Sequence, residues 1–225
     1  MGYRIPAHLA FCTFDNSVIF LDVRKDRYFA LPKLGRDALS RTLASQYLAE
    51  ADVPVASRLM TKGILETCSS DEVSPPITIA RPRVSLVEIG STGYSLNISH
   101  VCDVGYSVGK IWASLRMRPF HSIVGAVSKR RRSIEELGGR TSHSDRHEML
   151  ASRFVRSRTM IPAKPVCLLD SLSLIDFLAR HGVTADLVIG VTENPFSAHC
   201  WVQTDEALLN ESIHRAREFT PILVL

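Results

Sequence analysis

The sequence has no uninterrupted apolar run of membrane-spanning length. Its N-terminus lacks the charged-then-apolar pattern of a signal peptide. Together these point to a cytoplasmic protein with no membrane partner. There is no glycine-rich phosphate loop, which argues against a nucleotide site in this chain. The five cysteines (Cys12, Cys68, Cys102, Cys167 and Cys200) are odd in number and scattered, with no Cys-x-x-Cys pair. Neither a disulfide framework nor a zinc knuckle is indicated. His143 and His147 have the i, i+4 spacing of metal ligands, but no glutamate or third ligand accompanies them as in a zinc protease, so no metal and no cofactor are expected.

What remains is an ordinary globular composition, 45% hydrophobic and 22% charged over 225 residues, enough for one large or two small domains. The net charge of +4 is modest for a nucleic-acid binder, and no nucleic-acid partner is expected. The basic run Lys129-Arg130-Arg131-Arg132 reads as a solvated helix end.

From its start the chain reads as three short antiparallel strands, residues 9–14, 18–23 and 27–31, separated by Asp/Asn/Ser and Arg-Lys-Asp turns and closed by Pro32. Helical periodicity follows over 34–44, then near 47–50, then over 55–65, where Pro54 suits a first turn. The stretch from Cys68 to Pro82 carries Ser, Asp, Glu and three prolines and reads as a linker. The resulting division is an N-terminal domain over 1–70, a linker over 71–82 and a second domain over 83–225. A three-stranded sheet followed by helices is a small winged-helix-like arrangement. As a DNA-binding module it would be short of cations, since Arg58 and Lys62 are too few for a phosphate-tracking helix. In the middle of the chain helices are expected over 96–117, 121–127 and 149–160, with a polar loop over 138–145.

The last third carries the chemistry. Leu168, Leu172, Ile175 and Ala179 repeat at i, i+4, i+7 and i+11, so Cys167 opens a helix that Pro165 suits as a start and Gly182 as a stop. In a first helical turn the free N–H groups and the positive dipole end stabilise a thiolate, the form of cysteine that acts as nucleophile. Residues 185–191 are a continuous apolar run, a buried strand, and 198–204 read as the next. There His199, Trp201 and Gln203 share one face, with Cys200, Val202 and Thr204 on the other. A helix start packed on this sheet brings Cys167 and His199 together as nucleophile and base. Cys200, facing away from His199, is expected to matter far less. The turn at Asp205-Glu206 leaves the third member open. A two-residue loop puts Asn210 opposite Trp201, whereas a three-residue loop puts Glu211 there.

Three of these stretches carry a resemblance: Cys167-Leu-Leu-Asp-Ser-Leu-Ser-Leu, Leu187-Val-Ile-Gly-Val, and Pro195-Phe-Ser-Ala-His199-Cys-Trp-Val. Over residues 165–215 they resemble the C-terminal domain of the lasso peptide B proteins, transglutaminase-like cysteine proteases that remove the leader from a ribosomal precursor peptide. Asn210-Glu211 stands where that family has Asn-Asp. The resemblance thus implies Cys167, His199 and Glu211 as the catalytic set, with Asn210 as the rival. The stretch from Leu21 to Leu31 and the Gly63-Ile64-Leu65 closure look like the leader-recognition domain of peptide-modifying systems, which is similar to the small chaperone of pyrroloquinoline quinone biosynthesis. That likeness implies a leader strand added along Arg27, Tyr28, Phe29, Ala30 and Leu31, in a groove against Val55, Leu59 and Lys62. The implied fold is α+β, a winged-helix-like leader-recognition domain joined to a transglutaminase-like, papain-like cysteine protease domain. The implied partners are the precursor peptide and an asparagine-synthetase-like cyclase that uses ATP to close the macrolactam. Two other functions fit the same residues, a non-catalytic scaffold that delivers precursor to the cyclase and a transglutaminase or amidase acting on another substrate.

Overall fold

The computed structural model describes residues 2–44, 50–68, 79–90, 97–136 and 144–225. Contacts divide the chain into two units, Met1–Thr78 and Ile79–Leu225.

In the first unit, strands β2 (Leu9–Thr13), β3 (Ser17–Asp22) and β4 (Arg27–Pro32) form an antiparallel sheet in that order. Every residue of the central β3 is buried, which is why its sequence runs Val-Ile-Phe-Leu without alternation. On β4 the residues alternate unevenly between exposed and half-buried, as suits a strand paired on one side among the described residues. The β3–β4 turn is closed by Asp22 Oδ1, which accepts the N–H groups of Arg24 and Lys25 at 3.0 Å each. Helix α1 (Lys33–Ala44), a 3-10 turn (Glu50–Asp52) and helix α2 (Val53–Thr61) follow. Helix α2 ends four residues before the expected limit of 65 because Gly63 takes a positive φ of 68°, turning the Ile64 N–H back to the Leu59 carbonyl at 2.8 Å. The core gathers Ile5, Leu9, Val18, Phe20, Leu39, Leu59 and Ile64, with Phe20 stacked on Phe29 at 5.0 Å.

A further pair was not foreseen: β1 (Gly2–Arg4) lies antiparallel to β5 (Glu66–Cys68). Three-residue strands are too short to show a period, and their pairing spans more than sixty residues. Most of the helix expected near 47–50, and most of the linker, lie outside the described residues.

The second unit contains β6 (Val84–Ser85), α3 (Leu86–Ile89), α4 (Ile98–Met117), α5 (Phe120–Glu136), α6 (Ser144–Arg158), α7 (Cys167–Arg180), β7 (Asp186–Thr192), β8 (Ser197–Gln203), β9 (Ala207–Leu208), α8 (Ile213–Arg217) and β10 (Thr220–Val224). The sheet order is β10-β7-β8-β9-β6. The apolar stripe expected on α7 understates its setting, since residues 171–178 are all buried. The helix runs through the middle of the unit, between the sheet on one side and α4, α5 and α6 on the other.

A carboxylate buried in such a helix requires partners. Asp176, 7% exposed, accepts from Ser107 at 2.9 Å, Lys110 at 2.6 Å and Arg130 at 3.0 Å. Arg131 pairs with Asp186 and with Glu135. The basic run is therefore not a solvated helix end: two of its arginines tie α5 to α7 and β7. These pairs account for α5 continuing to Glu136, well past the expected limit of 127.

Candidate active site

The site begins where the chain enters α7. Arg158, at the end of α6, donates to Asp170 Oδ1 at 2.6 Å and to the carbonyls of Ile161 at 3.2 Å and Ala163 at 3.0 Å. One guanidinium thus ties the incoming loop to the first turn of the helix. Val166 is the extended N-cap and Cys167 the first helical residue, so its N–H belongs to the unpaired donors of the helix start.

Strand β8 supplies the surface on which this turn sits. Its neighbour β9 is two residues long and pairs only Gln203 with Leu208. Beyond that the outer edge of β8 has no strand beside it among the described residues, and its backbone groups need other partners. The Val202 carbonyl still accepts from Leu209 N–H at 2.8 Å, but the Val202 N–H donates to the side-chain oxygen of Asn210 at 2.7 Å. At Cys200 helix α7 takes over. Ser171 Oγ donates to the Cys200 carbonyl at 3.2 Å, and the Cys200 N–H donates to the Cys167 sulfur. Residues four apart on a helix lie one above the other, so Cys167 and Ser171 present one face to one strand position. Asn210 Nδ2 donates to Ser171 Oγ at 3.0 Å and closes the chain of bonds.

Cys167 is thereby seated beside His199. Its side chain hydrogen-bonds to His199 and to the Cys200 thiol. Glu211 Oε2 lies 2.6 Å from His199 Nε2, and its other oxygen accepts the Ser212 N–H at 2.8 Å. The Glu211 carbonyl in turn accepts from Ser85 Oγ at 2.7 Å. With Nε2 committed to the carboxylate, Nδ1 is the ring nitrogen left for the sulfur.

The hairpin has the two-residue loop, which by register alone would carry Asn210 opposite Trp201. The chain instead leaves the ladder after Leu209. Asn210 turns back to cap the Val202 N–H, and the next residue, Glu211, reaches the imidazole.

The electrostatics follow from these contacts. The Cys167 thiol is lowered to about 4 by the hydrogen bond from Cys200, then by that from His199, against the opposing effect of burial. His199 is raised to about 9 by its hydrogen bonds to Cys167 and Glu211. Burial pushes Glu211 upward, but His199 and the Ser212 N–H more than offset it, leaving the carboxyl below its ordinary value. Contact with the thiolate and burial push the Cys200 thiol strongly up, so it stays protonated and donates. At neutral pH the site is a thiolate–imidazolium pair backed by a carboxylate.

Cys200 departs from the sequence expectation. Face parity separates it from His199, but α7 packs on the face that Cys200 shares with Val202, whereas Trp201 on the His199 face packs with Phe219. Gly190 has a physical role as well. It pairs with His199 across β7 and β8, and a Cβ there would lie 2.8 Å from Phe219 Cβ and 2.9 Å from the Trp201 ring. Phe219 packs against the His199 ring at 5.1 Å, so the missing side chain leaves room for the wall behind the imidazole.

The other sequence-derived positions are dispersed. In the first unit Arg27 and Ala30 are exposed on β4, while Phe29 and Leu31, half-buried, pack on the core and Tyr28 is half-buried. On α2, Val55 is half-buried and Lys62 is the exposed C-cap. Leu59 is 4% exposed and belongs to the core, a correction to its place in a surface groove. His143 lies outside the described residues, and His147 Nε2 is 2.8 Å from the Thr184 carbonyl. Among the described residues no group of three potential metal ligands converges. None of their helices is long and apolar enough to cross a membrane.

A thiolate at a helix start, an imidazole on the neighbouring strand and a carboxylate from the following segment have the geometry that acyl transfer through a cysteine nucleophile requires. The family comparison agrees. A model of the transglutaminase-like superfamily matches residues 111–224, half of the chain, and the chain belongs to that superfamily. Its domain is compatible with cysteine peptidase or transglutaminase-type activity. No curated protein and no solved structure matches the chain.

Proposed function

We propose that this protein is a cysteine peptidase that binds the leader of a ribosomally made lasso peptide precursor and cuts it from the core before a partner cyclase closes the macrolactam. The observation that carries the reading is the Cys167–His199–Glu211 arrangement, in which nucleophile and acid are both ionised at neutral pH. The Cys167 thiolate attacks the carbonyl carbon of the amide between leader and core. His199 passes its proton to the leaving amine, the C–N bond breaks and a thioester remains. Neutral His199 then takes a proton from water as its oxygen attacks the thioester carbon; the C–S bond breaks, the acid leaves and the thiolate–imidazolium pair is restored. The Cys167 N–H is the natural donor to the developing oxyanion. Glu211 holds the imidazole in place and stabilises its charged form.

The first unit supports the recognition half of the proposal. Strand β4 is an edge strand of its sheet among the described residues, the position that β-augmentation uses. The leader adds along Arg27–Leu31, with Val55 and Lys62 beside it. The cyclase, asparagine-synthetase-like and ATP-dependent, receives the freed core.

The test is to incubate the full chain with a precursor peptide and weigh the products. Two fragments meeting at one peptide bond are expected, and none from Cys167→Ala, which still binds the precursor. Undiminished cleavage by Cys167→Ala would overturn the peptidase assignment. Transfer of the acyl group to an added amine, with no hydrolysis, would establish the transglutaminase alternative instead.

A further inference from the structure

Glu211 follows the point where the chain leaves the sheet, so among the described residues no ladder bond fixes its backbone. Its carboxylate must nevertheless meet one atom of His199 at 2.6 Å. The hold on it comes from a segment 126 residues upstream. Ser85 closes β6, whose parallel pairing with β9 sets it beside Leu208. From there Ser85 Oγ donates to the Glu211 carbonyl at 2.7 Å and accepts the Glu88 N–H at 3.3 Å, so the hydroxyl is used in both directions. Two residues on, the Ile213 N–H donates to Glu88 Oε1 at 3.1 Å. Residues 211 and 213 are thus tied to one short segment, and Ser85, 1% exposed, lies ahead of the stretch 111–224 that matches the superfamily model.

We propose that Ser85 is a positioning residue for the cysteine reaction, its hydroxyl anchoring the Glu211 backbone and thereby keeping the carboxylate on His199. This rests on the reading of Cys167, His199 and Glu211 as the reacting set. The bonds of Ser85 go to the Glu211 carbonyl and the Glu88 N–H, so its effect on the reaction passes through Glu211. The other bond that holds this carboxylate, from the Ser212 N–H at 2.8 Å, is local and travels with the residue. The Ser85 bond is the one that ties Glu211 to the sheet. Several side-chain torsions separate that backbone from the carboxylate, so a backbone left to drift spreads the carboxylate over rotamers that miss the imidazole.

The segment does not depend on that one bond for its own place. Ile79 packs with Trp201 and Phe219, and Gln203 Nε2 donates to the Ala80 carbonyl at 2.9 Å. The pairing of β6 with β9 is made by the backbone. Removing the hydroxyl therefore releases Glu211 and leaves the segment where it is.

The experiment titrates alkylation of Cys167 by iodoacetamide in the full chain, with peptide mapping to separate it from the exposed Cys102. Among the described residues the titratable groups facing His199 are Cys167 from α7 and Glu211, so a loosened carboxylate reaches the thiolate through the imidazole. In Ser85→Ala the midpoint should rise by roughly 0.5–1 pH unit, in the direction of Glu211→Gln. Combined with Glu211→Gln, the same change should add nothing, since the hydroxyl then has no carboxylate to place. With a precursor as substrate, kcat should fall about 10-fold at unchanged KM. A lower melting temperature with an unchanged midpoint would mark Ser85 as merely structural and overturn the proposal, as would shifts that add in the double variant. Should Ser85→Ala fail to fold by circular dichroism, Ser85→Cys, close in volume and a weaker donor, is judged by the same midpoint. A chain that cuts no precursor refutes the peptidase reading but leaves the alkylation result to decide the role of Ser85.

Discussion

Replacing Glu211 with Gln removes a charge from His199 while keeping the shape and one acceptor of the side chain. With the ring nitrogen and carboxylate oxygen 2.6 Å apart, the two charge centres lie about 4 Å apart. Both side chains are under a quarter exposed, at 15% and 21%. At an effective dielectric of about 20, that separation corresponds to about 4 kcal/mol between the ionised partners. The amide keeps a neutral hydrogen bond, so part of this is retained, and kcat/KM should fall roughly 10²–10³-fold at about 1.4 kcal/mol per decade. The same substitution destabilises imidazolium and with it the thiolate it faces. The pH midpoint for alkylation of Cys167 by iodoacetamide should therefore move upward from about 4. Alkylation gives a reading with no peptide substrate at all. Asn210→Ala provides the contrast: it strips the Val202 N–H of its acceptor and removes the amide donor to Ser171 Oγ, so its first effect is a loss of stability of about 1–3 kcal/mol. An unchanged alkylation profile in Glu211→Gln, with turnover intact, would refute the assignment and leave the site a dyad.

Two further outcomes follow from the same geometry. Turnover requires Cys167 ionised and His199 protonated; since the thiol is lowered to about 4 and the imidazole raised to about 9, the rate should rise as pH climbs past 4, hold, and fall past 9. A single rise near the ordinary histidine value would contradict the ion pair. Gly190→Ala forces Phe219 and Trp201 apart, a strain of about 1–3 kcal/mol. The melting temperature should drop by roughly 2–4 °C per kcal/mol in differential scanning calorimetry. A variant that melts with the wild type would show that the sheet absorbs the methyl group without moving the wall behind His199.

The sequence by itself determined what depends on local order. The apolar period that begins at Cys167 marks a helix start, the run into Ile189-Gly190-Val191 a buried strand, and the alternation from His199 to Gln203 the strand beside it. Such signals sit within a few residues of one another, so their reading needs no knowledge of the rest of the chain. The β1–β5 pair and the fate of Arg130 and Arg131 were illegible because their partners are remote in sequence: Gly2 pairs with Cys68, and Arg130 meets Asp176. Within the site, only tertiary structure decided which side chain reaches His199. The loop length favours Asn210, but whether the ladder continues past Leu209 depends on what covers the edge of β8. That edge is covered by Cys167 and Ser171 of a helix about thirty residues upstream. The same docking puts α7 on the strand face that Cys200 shares with Val202. Alternation says which residues share a face, and only the tertiary structure says which face the helix covers.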